Sequence, residues 1–201
     1  MANFRKDTYG PGSMKGVELV ILAYDNRVAK DGEGKVTTHY LDARIHPEDR
    51  RAAGQATLAL VSKKDEKSPS GYNNSARYSA GQMASIKEAA GANVTDLTMQ
   101  DGTVVGKIYG VKADLISGNE GVVANTKTLV PSEFSVQPDA AGKTIRQREF
   151  DVTNATKLAK QQAQEARNEA AQAEANTPSV EQPVLVGAGA PVAAADEPAL
   201  G

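Results

Sequence analysis

Cysteine and tryptophan are absent from the 201 residues of this chain, and histidine occurs only twice. The lack of cysteine excludes disulfide scaffolds, thiolate zinc sites and cysteine nucleophiles. Aromatic residues are scarce too, with three Phe and six Tyr, so the core must be built from Val, Leu, Ile and Ala. A core of this composition suits a small β-barrel or β-sandwich.

Long apolar runs are also missing. No stretch approaches the roughly 20 residues that span a bilayer. Arg5, Lys6 and Asp7 place charges where a signal peptide needs an apolar segment. We therefore expect a soluble protein in the cytoplasm of a bacterial host, without a membrane partner.

Catalytic motifs are equally scarce. The sequence contains no phosphate-binding loop, dinucleotide fingerprint, metalloprotease helix or nucleophile elbow. His39 and His46, with Asp42 and Glu48 nearby, match no metal-ligand spacing, so His46 is expected to be an ordinary surface side chain. We predict no catalytic residue, no metal site and no cofactor, and hence no enzyme.

The charge is divided unevenly along the chain. Residues 1–150 contain 20 Lys and Arg against 18 Asp and Glu, whereas residues 151–201 contain 3 against 7. A neutral-to-basic body with an acidic end permits nucleic-acid binding without requiring it.

Composition divides the chain into three parts. Residues 1–140 hold the periodic apolar sequence and are predicted to form one β domain. Residues 141–175 are expected to form an edge segment, at 143–150 a strand or a docked arm, and then a helical arm whose only large apolar residue is Leu158. This arm is read as a solvated spacer, with self-association into a homo-oligomer as the alternative. Residues 176–201, rich in Pro, Gly and Ala, predict a disordered tail.

The first three predicted strands precede residue 63. Residues 16–24 are nearly continuously apolar, as in a strand buried on both faces, and a turn-rich loop over 25–34 follows. Residues 35–45 alternate, which places Leu41, Ala43 and Ile45 on one face. After a helical turn at 47–51, the third strand is predicted over 55–62, anchored by Leu58, Leu60 and Val61, and a mobile loop over 63–74.

A helix and two further strands complete the domain. Ser79 and Gln82 have the spacing of a capping box, Met83, Ile86 and Ala90 share one face, and Gly91 ends the helix. A long strand is predicted over 103–116, where Gly106 and Gly110 suggest strong coiling, and the last over 122–130. Five strands with one plug helix between the third and fourth is the order of the OB-fold, a five-stranded Greek-key barrel.

The side chains left for function are cationic or aromatic. They lie on the face opposite the predicted core or in the adjoining loops, where OB-folds stack bases on aromatic rings and neutralise phosphates. Tyr24 and Tyr109 could equally be barrel residues with their hydroxyls at the rim, and residues 63–67 a solvated loop of mixed charge. The predicted DNA-binding residues are Arg27, Lys30, Lys35, Tyr40, Arg44, Lys63, Lys64, Lys67, Tyr72, Lys107 and Tyr109.

In layout, the chain resembles the single-stranded DNA-binding proteins of bacteria and their phages, with an OB-like body followed by a long low-complexity tail. The resemblance implies binding of single-stranded DNA without strong sequence preference during phage DNA replication or recombination. It also implies recruitment of replication proteins by an acidic tail tip. Residues 195–201 occupy that position, with two acids, Asp196 and Glu197, and no terminal aromatic residue.

Two other classes of function fit the same composition. A virion structural protein, such as a tail or capsid-decorating component, would assemble through edge strands and show no salt-sensitive affinity for single strands. An adaptor or inhibitor would bind a host protein through the barrel.

Overall fold

A computed structural model describes residues 15–55, 57–61, 63–68, 71–118 and 121–175. The predicted tail and its acidic tip lie outside these residues. The fold is mainly β, with a curled antiparallel sheet and two helices. The elements are β1 (Val17–Lys30), β2 (Val36–Ile45), β3 (Lys63–Lys64), β4 (Tyr72–Asn73), β5 (Ser75–Ser79), α1 (Ala80–Ala90), β6 (Val94–Thr98), β7 (Val104–Ala113), β8 (Leu115–Gly118), β9 (Gly121–Ala124), β10 (Val130–Pro131) and α2 (Ile145–Ala175).

The main sheet places β5, β2, β1 and β7 side by side, all antiparallel. At each edge of this sheet, the outermost position is occupied by two separate short segments instead of one continuous strand. The free edge of β7 pairs with β6 along one half and with β10 along the other. The free edge of β2 pairs with β5, and beyond it Arg44 forms an isolated bridge with Ala59.

The prediction of a third strand at 55–62 is therefore wrong, because the described part of this segment forms an isolated bridge and no regular strand. Leu58, Leu60 and Val61 are buried as expected, but the described part of this segment pairs with β2 only around Ala59. The third strand of the sheet is β5, which was not predicted because its alternation is short and ends in the helix cap at Ser79.

The inner face of the sheet packs against α1. Met83, Ile86 and Ala90 of α1 lie in the same apolar cluster as Ile21 of β1 and Leu41 of β2. The predicted helix is confirmed at both ends. Ser79 Oγ accepts from the Gln82 amide at 3.2 Å, Gln82 Oε1 accepts from the Ser79 amide at 2.8 Å, and Gly91 ends the helix at a φ of 52°.

The outer face is covered in its middle by residues 132–137, here called the strap, and by the first turns of α2. Val136 of the strap and Ile145 of α2 pack on Val20 and Leu22 of β1. Asn93 holds the strap, because its Nδ2 donates to Phe134 O at 2.8 Å and its Oδ1 accepts from the Val136 amide at 2.9 Å. The first six residues of β1 are thus buried on both faces, as predicted for the strand over 16–24.

The glycines of β7 allow close approach of neighbouring groups. A Cβ at Gly106 would lie 2.0 Å from the Ala23 carbonyl oxygen, and one at Gly110 would lie 2.3 Å from Asn93 Nδ2. The predicted strand over 103–116 is divided at Asp114 into β7 and β8, and the predicted strand over 122–130 is divided into β9 and β10. Asp114 Oδ1 accepts from the Gly16 amide at 2.8 Å.

Helix α2 begins earlier than predicted, so the expected edge strand at 143–150 is wrong, whereas the alternative of a docked arm agrees with the packing of Ile145 on β1. Thr144 and Gln147 form a second capping box, in which the Thr144 amide donates to Gln147 Oε1 at 2.8 Å and Thr144 Oγ1 accepts from the Gln147 amide at 3.3 Å. Ile145 and Glu149 are buried, whereas Leu158 is exposed.

Contacts divide the chain into two compact units, 1–162 and 163–201. The described residues of the second unit are helical, and within them Gln164 Nε2 donates to Asn168 Oδ1 at 3.0 Å. Neither α1 nor α2 combines the length and apolarity needed to cross a membrane, and these are the α-helices of the described residues.

Candidate nucleic-acid interface

A large bulge in β1 shapes the outer face. Ala23 pairs with Leu41 and Val28 pairs with His39, so the four residues 24–27 of β1 lie opposite Tyr40 alone. Extra residues in one strand bend it and redirect its side chains. The predicted loop over 25–34 is therefore largely strand, and the connection to β2 shrinks to residues 31–35.

A small hairpin flanks the bulge. Lys63 pairs with Asn73 and Lys64 with Tyr72, so the region predicted as an aperiodic loop contains a β-ladder. Asp65 orders its turn, because its Oδ1 accepts from the Lys67 amide at 3.0 Å and its amide donates to Gly71 O at 3.0 Å. Sequence periodicity could not indicate strands of two residues.

The bulge, β2 and the hairpin enclose a groove of about 540 Å³, here called the tyrosine groove. Three of the six tyrosines of the chain line it. Tyr72 is 48% exposed, while Tyr24 and Tyr40 are half-buried. The lining residues are Tyr24, Asn26, Arg27, Val28, Tyr40, Asp42, Arg44, Asp65, Lys67, Ser68, Tyr72, Asn73, Asn74 and Ser75.

Arg27 and Lys67 bring positive charge to the groove. The Arg27 guanidinium carbon lies 4.2 Å from the centroid of the Tyr24 ring, and Arg27 Nη1 donates to Ser75 Oγ at 3.2 Å. Neither partner is negatively charged, and the guanidinium group lies over the face of the Tyr24 ring. Lys67 is exposed at the hairpin turn.

Arg44 also lines the groove, but two carboxylates compensate its charge. Its Nη2 lies 2.6 Å from Asp42 Oδ2 and its Nη1 lies 3.4 Å from Glu149 Oε2. Burial alone would lower the pKa of Arg44, but Asp42 and Glu149 raise it above its usual value. Burial raises the pKa of Glu149, against the effect of Arg44 and Arg146. Arg44 therefore ties α2 to β2.

The remaining predicted residues lie outside the tyrosine groove. Lys107 forms an ion pair with Asp96 at the β6–β7 pairing. Tyr109 is 8% exposed and packs in the inner core, and burial raises its pKa. The others lie at the β1–β2 connection or on β3; these are Lys30, Lys35, Lys63 and Lys64.

Sequence reasoning missed several groove residues. Tyr24 is not among the predicted DNA-binding residues, although the polar run Asp25, Asn26 and Arg27 directly after it indicates that the apolar strand ends here. Asn73 and Asn74 were assigned to a mobile loop. Their position beside Tyr40 depends on the hairpin folding back, which involves contacts distant in sequence.

His46 is buried, so the expected surface histidine is wrong. Its ring stacks on Phe134 of the strap at 5.2 Å between centroids. Nδ1 accepts from the Glu48 amide at 3.2 Å and Nε2 lies 3.3 Å from Ser135 O, a pattern that requires the proton on Nε2. Burial lowers the pKa of His46. Within the described ranges, no three His, Cys, Asp or Glu side chains are placed to hold a metal ion.

Comparison with protein-family models, with curated proteins and with solved structures gives no match. The chemistry of the tyrosine groove is therefore the basis for a functional argument.

Proposed function

We propose that the chain binds single-stranded nucleic acid, with little sequence preference, in the tyrosine groove. The observation that carries the proposal is the grouping of Tyr24, Tyr40 and Tyr72 with Arg27 and Lys67 in one open groove. Aromatic faces stack on any base, and cations along a groove neutralise phosphates, so this combination binds unpaired strands of many sequences. The proposed setting is phage DNA replication or recombination.

The topology supports an OB-like arrangement. In this interpretation β1, β2 and β5 are the first three strands, α1 follows the third, and β7 with β8 and β9 with β10 supply the last two. The third and fifth strands of this arrangement are linked through a side chain. The hydroxyl of Tyr78 in β5 accepts a hydrogen bond from the buried Ala124 amide of β9 at 3.2 Å. OB-folds bind single strands on the face of the second and third strands, and the groove uses Tyr40 of β2 and Ser75 of β5.

Single strands are favoured over duplexes because stacking on tyrosine requires an unpaired base. The positive and negative charges that line the groove nearly cancel. Arg44 is paired with Asp42, and the remaining charged lining residues are the cations Arg27 and Lys67 and the acid Asp65. We therefore expect moderate salt dependence, with stacking carrying much of the affinity.

The test is titration of a fluorescently labelled mixed-sequence DNA oligonucleotide at two salt concentrations, followed by anisotropy. Tyr40→Ala is expected to weaken binding by about 1–3 kcal/mol through loss of stacking, whereas Tyr40→Phe retains the ring and most of the affinity. No binding of the unmodified protein at low salt would favour the virion or adaptor alternative.

Two exposed lysines provide a matched pair. Lys67→Ala is expected to reduce the salt slope by about one, because Lys67 lines the groove, while Lys107→Ala should leave it unchanged. Equal effects of both substitutions would mean that the interface is not this groove. Circular dichroism of each variant checks that the fold is intact.

A further inference from the structure

A second groove, of about 640 Å³, lies beside the first on the outer face. Tyr24 lines both, so the two grooves adjoin at this ring. Its other lining residues include Met99, Val105, Arg146 and Phe150, and it is here called the Phe150 groove.

Phe150 is the most exposed large apolar side chain of the described residues, at 66%. The buried side of α2 runs through Ile145 and Glu149, which leaves Phe150 on its flank, outside both apolar clusters. Met99, 59% exposed, lines the same groove. Core packing therefore does not account for Phe150, whereas contact with a ligand would.

The surroundings of Phe150 match an unpaired strand. Arg146 lies one helical turn from the ring, and its Nε is 3.7 Å from Glu149 Oε2. Glu149 is shared with Arg44, and the Arg146 side chain is 42% exposed, so its guanidinium remains accessible to a phosphate. Asp151 is paired with Lys143 at 2.8 Å, so its negative charge is compensated. An exposed aromatic ring beside a cation, next to a groove lined by tyrosines, repeats the chemistry of the tyrosine groove.

We propose that Phe150 is a further base-stacking residue, and that a single strand leaving the tyrosine groove passes Tyr24 and continues over the start of α2, with Arg146 meeting its backbone. This inference rests on the proposed function. It makes the binding site longer than the face of β2 and β5 alone.

The chain contains no tryptophan, which allows a direct test. Phe150→Trp places the sole indole in the Phe150 groove, and Leu158→Trp places it on the same helix at a site that is 55% exposed and lines neither groove. Addition of an oligonucleotide of about 16 nucleotides, the upper range for one OB-fold, should quench the first indole and leave the second unchanged.

Affinity provides the second readout. Phe150→Ala is expected to weaken binding of the 16-nucleotide strand by about 5- to 150-fold, the equivalent of one lost stack, and Leu158→Ala should leave it unchanged. If the strand binds, as anisotropy reports, but neither the Phe150→Trp signal nor the Phe150→Ala affinity changes, the extension is wrong and the tyrosine groove stands. If Tyr40→Ala also binds normally, or if no strand binds, the proposed function fails as well.

Discussion

The buried part of the inner face of the sheet is apolar, whereas the outer face combines an apolar centre with charged and aromatic side chains at its sides. On the inside, α1 covers Ile21 and Leu41 in one continuous cluster. On the outside, the half-buried Arg44 pairs with the buried Glu149 at the start of α2, and tyrosines line an open groove. The comparison indicates that the inner face supplies stability and that the outer face divides its residues between stability and binding.

The largest effect is expected on the inner face. Ile86→Ala removes a fully buried side chain from the contact between α1 and the sheet and should lower the free energy of unfolding by about 2–5 kcal/mol. Leu158→Ala, on the exposed side of α2, should change it by less than about 0.5 kcal/mol. Urea unfolding at neutral pH measures both, and similar losses for the two variants would contradict the division between faces.

A smaller loss is expected from the charged part of the outer face. Arg44→Met leaves Asp42 and Glu149 buried without their shared cation and should cost roughly 3 kcal/mol of stability, the usual effect of breaking a buried ion pair. Adding Glu149→Gln should restore part of the loss by removing one of the two carboxylates. A loss below about 1 kcal/mol for Arg44→Met would show that these ion pairs contribute no more than an exposed surface pair.

The smallest effect is a pH dependence that arises from His46. Because burial lowers its pKa in the folded state, the unfolded chain binds more protons below the ordinary value of 6.5. The contribution of His46 is therefore fully present above pH 6.5 and decreases as the pH falls towards the folded-state pKa. Glu149, whose pKa is raised by burial, acts in the opposite sense at acid pH.

The difference between the unmodified protein and His46→Gln isolates this contribution. Unfolding midpoints from pH 5 to pH 8 should show a loss at acid pH in the unmodified protein that the variant lacks. Parallel pH profiles would mean that the strap does not depend on neutral His46.

Helix α1 could be predicted from the sequence because several local signals agree. Ser79 and Gln82 cap its start, an apolar stripe runs along it, and Gly91 ends it, all within thirteen residues. The start of α2 has the same capping signal at Thr144 and Gln147, but no apolar stripe follows it. Its position depends on Ile145 and Glu149 reaching residues of the sheet distant in sequence.

The candidate site was only partly predictable for the same reason. Tyr40 could be assigned to the outer face because β2 alternates with a period of two. Tyr24 and Tyr72 reach the same groove through a four-residue bulge and a hairpin of two-residue strands, and neither feature has a periodicity. Alternation also indicates that Tyr109 and Ile108 lie on different faces of their strand. It could not indicate which face is the inner one, and Tyr109 proved to lie in the inner core.

The divided edges of the sheet have a consequence for the protein at high concentration. An exposed strand edge is a template on which a second molecule can add its own strand and begin to aggregate. Here the outermost positions are occupied by short pieces, and the longest of these, β5 and β6, have five residues each. Each piece ends where the chain turns away, so a neighbouring molecule meets only a short run of main-chain donors and acceptors. Such edges disfavour pairing with the sheet of a second molecule, and they leave the grooves of the outer face accessible to a ligand.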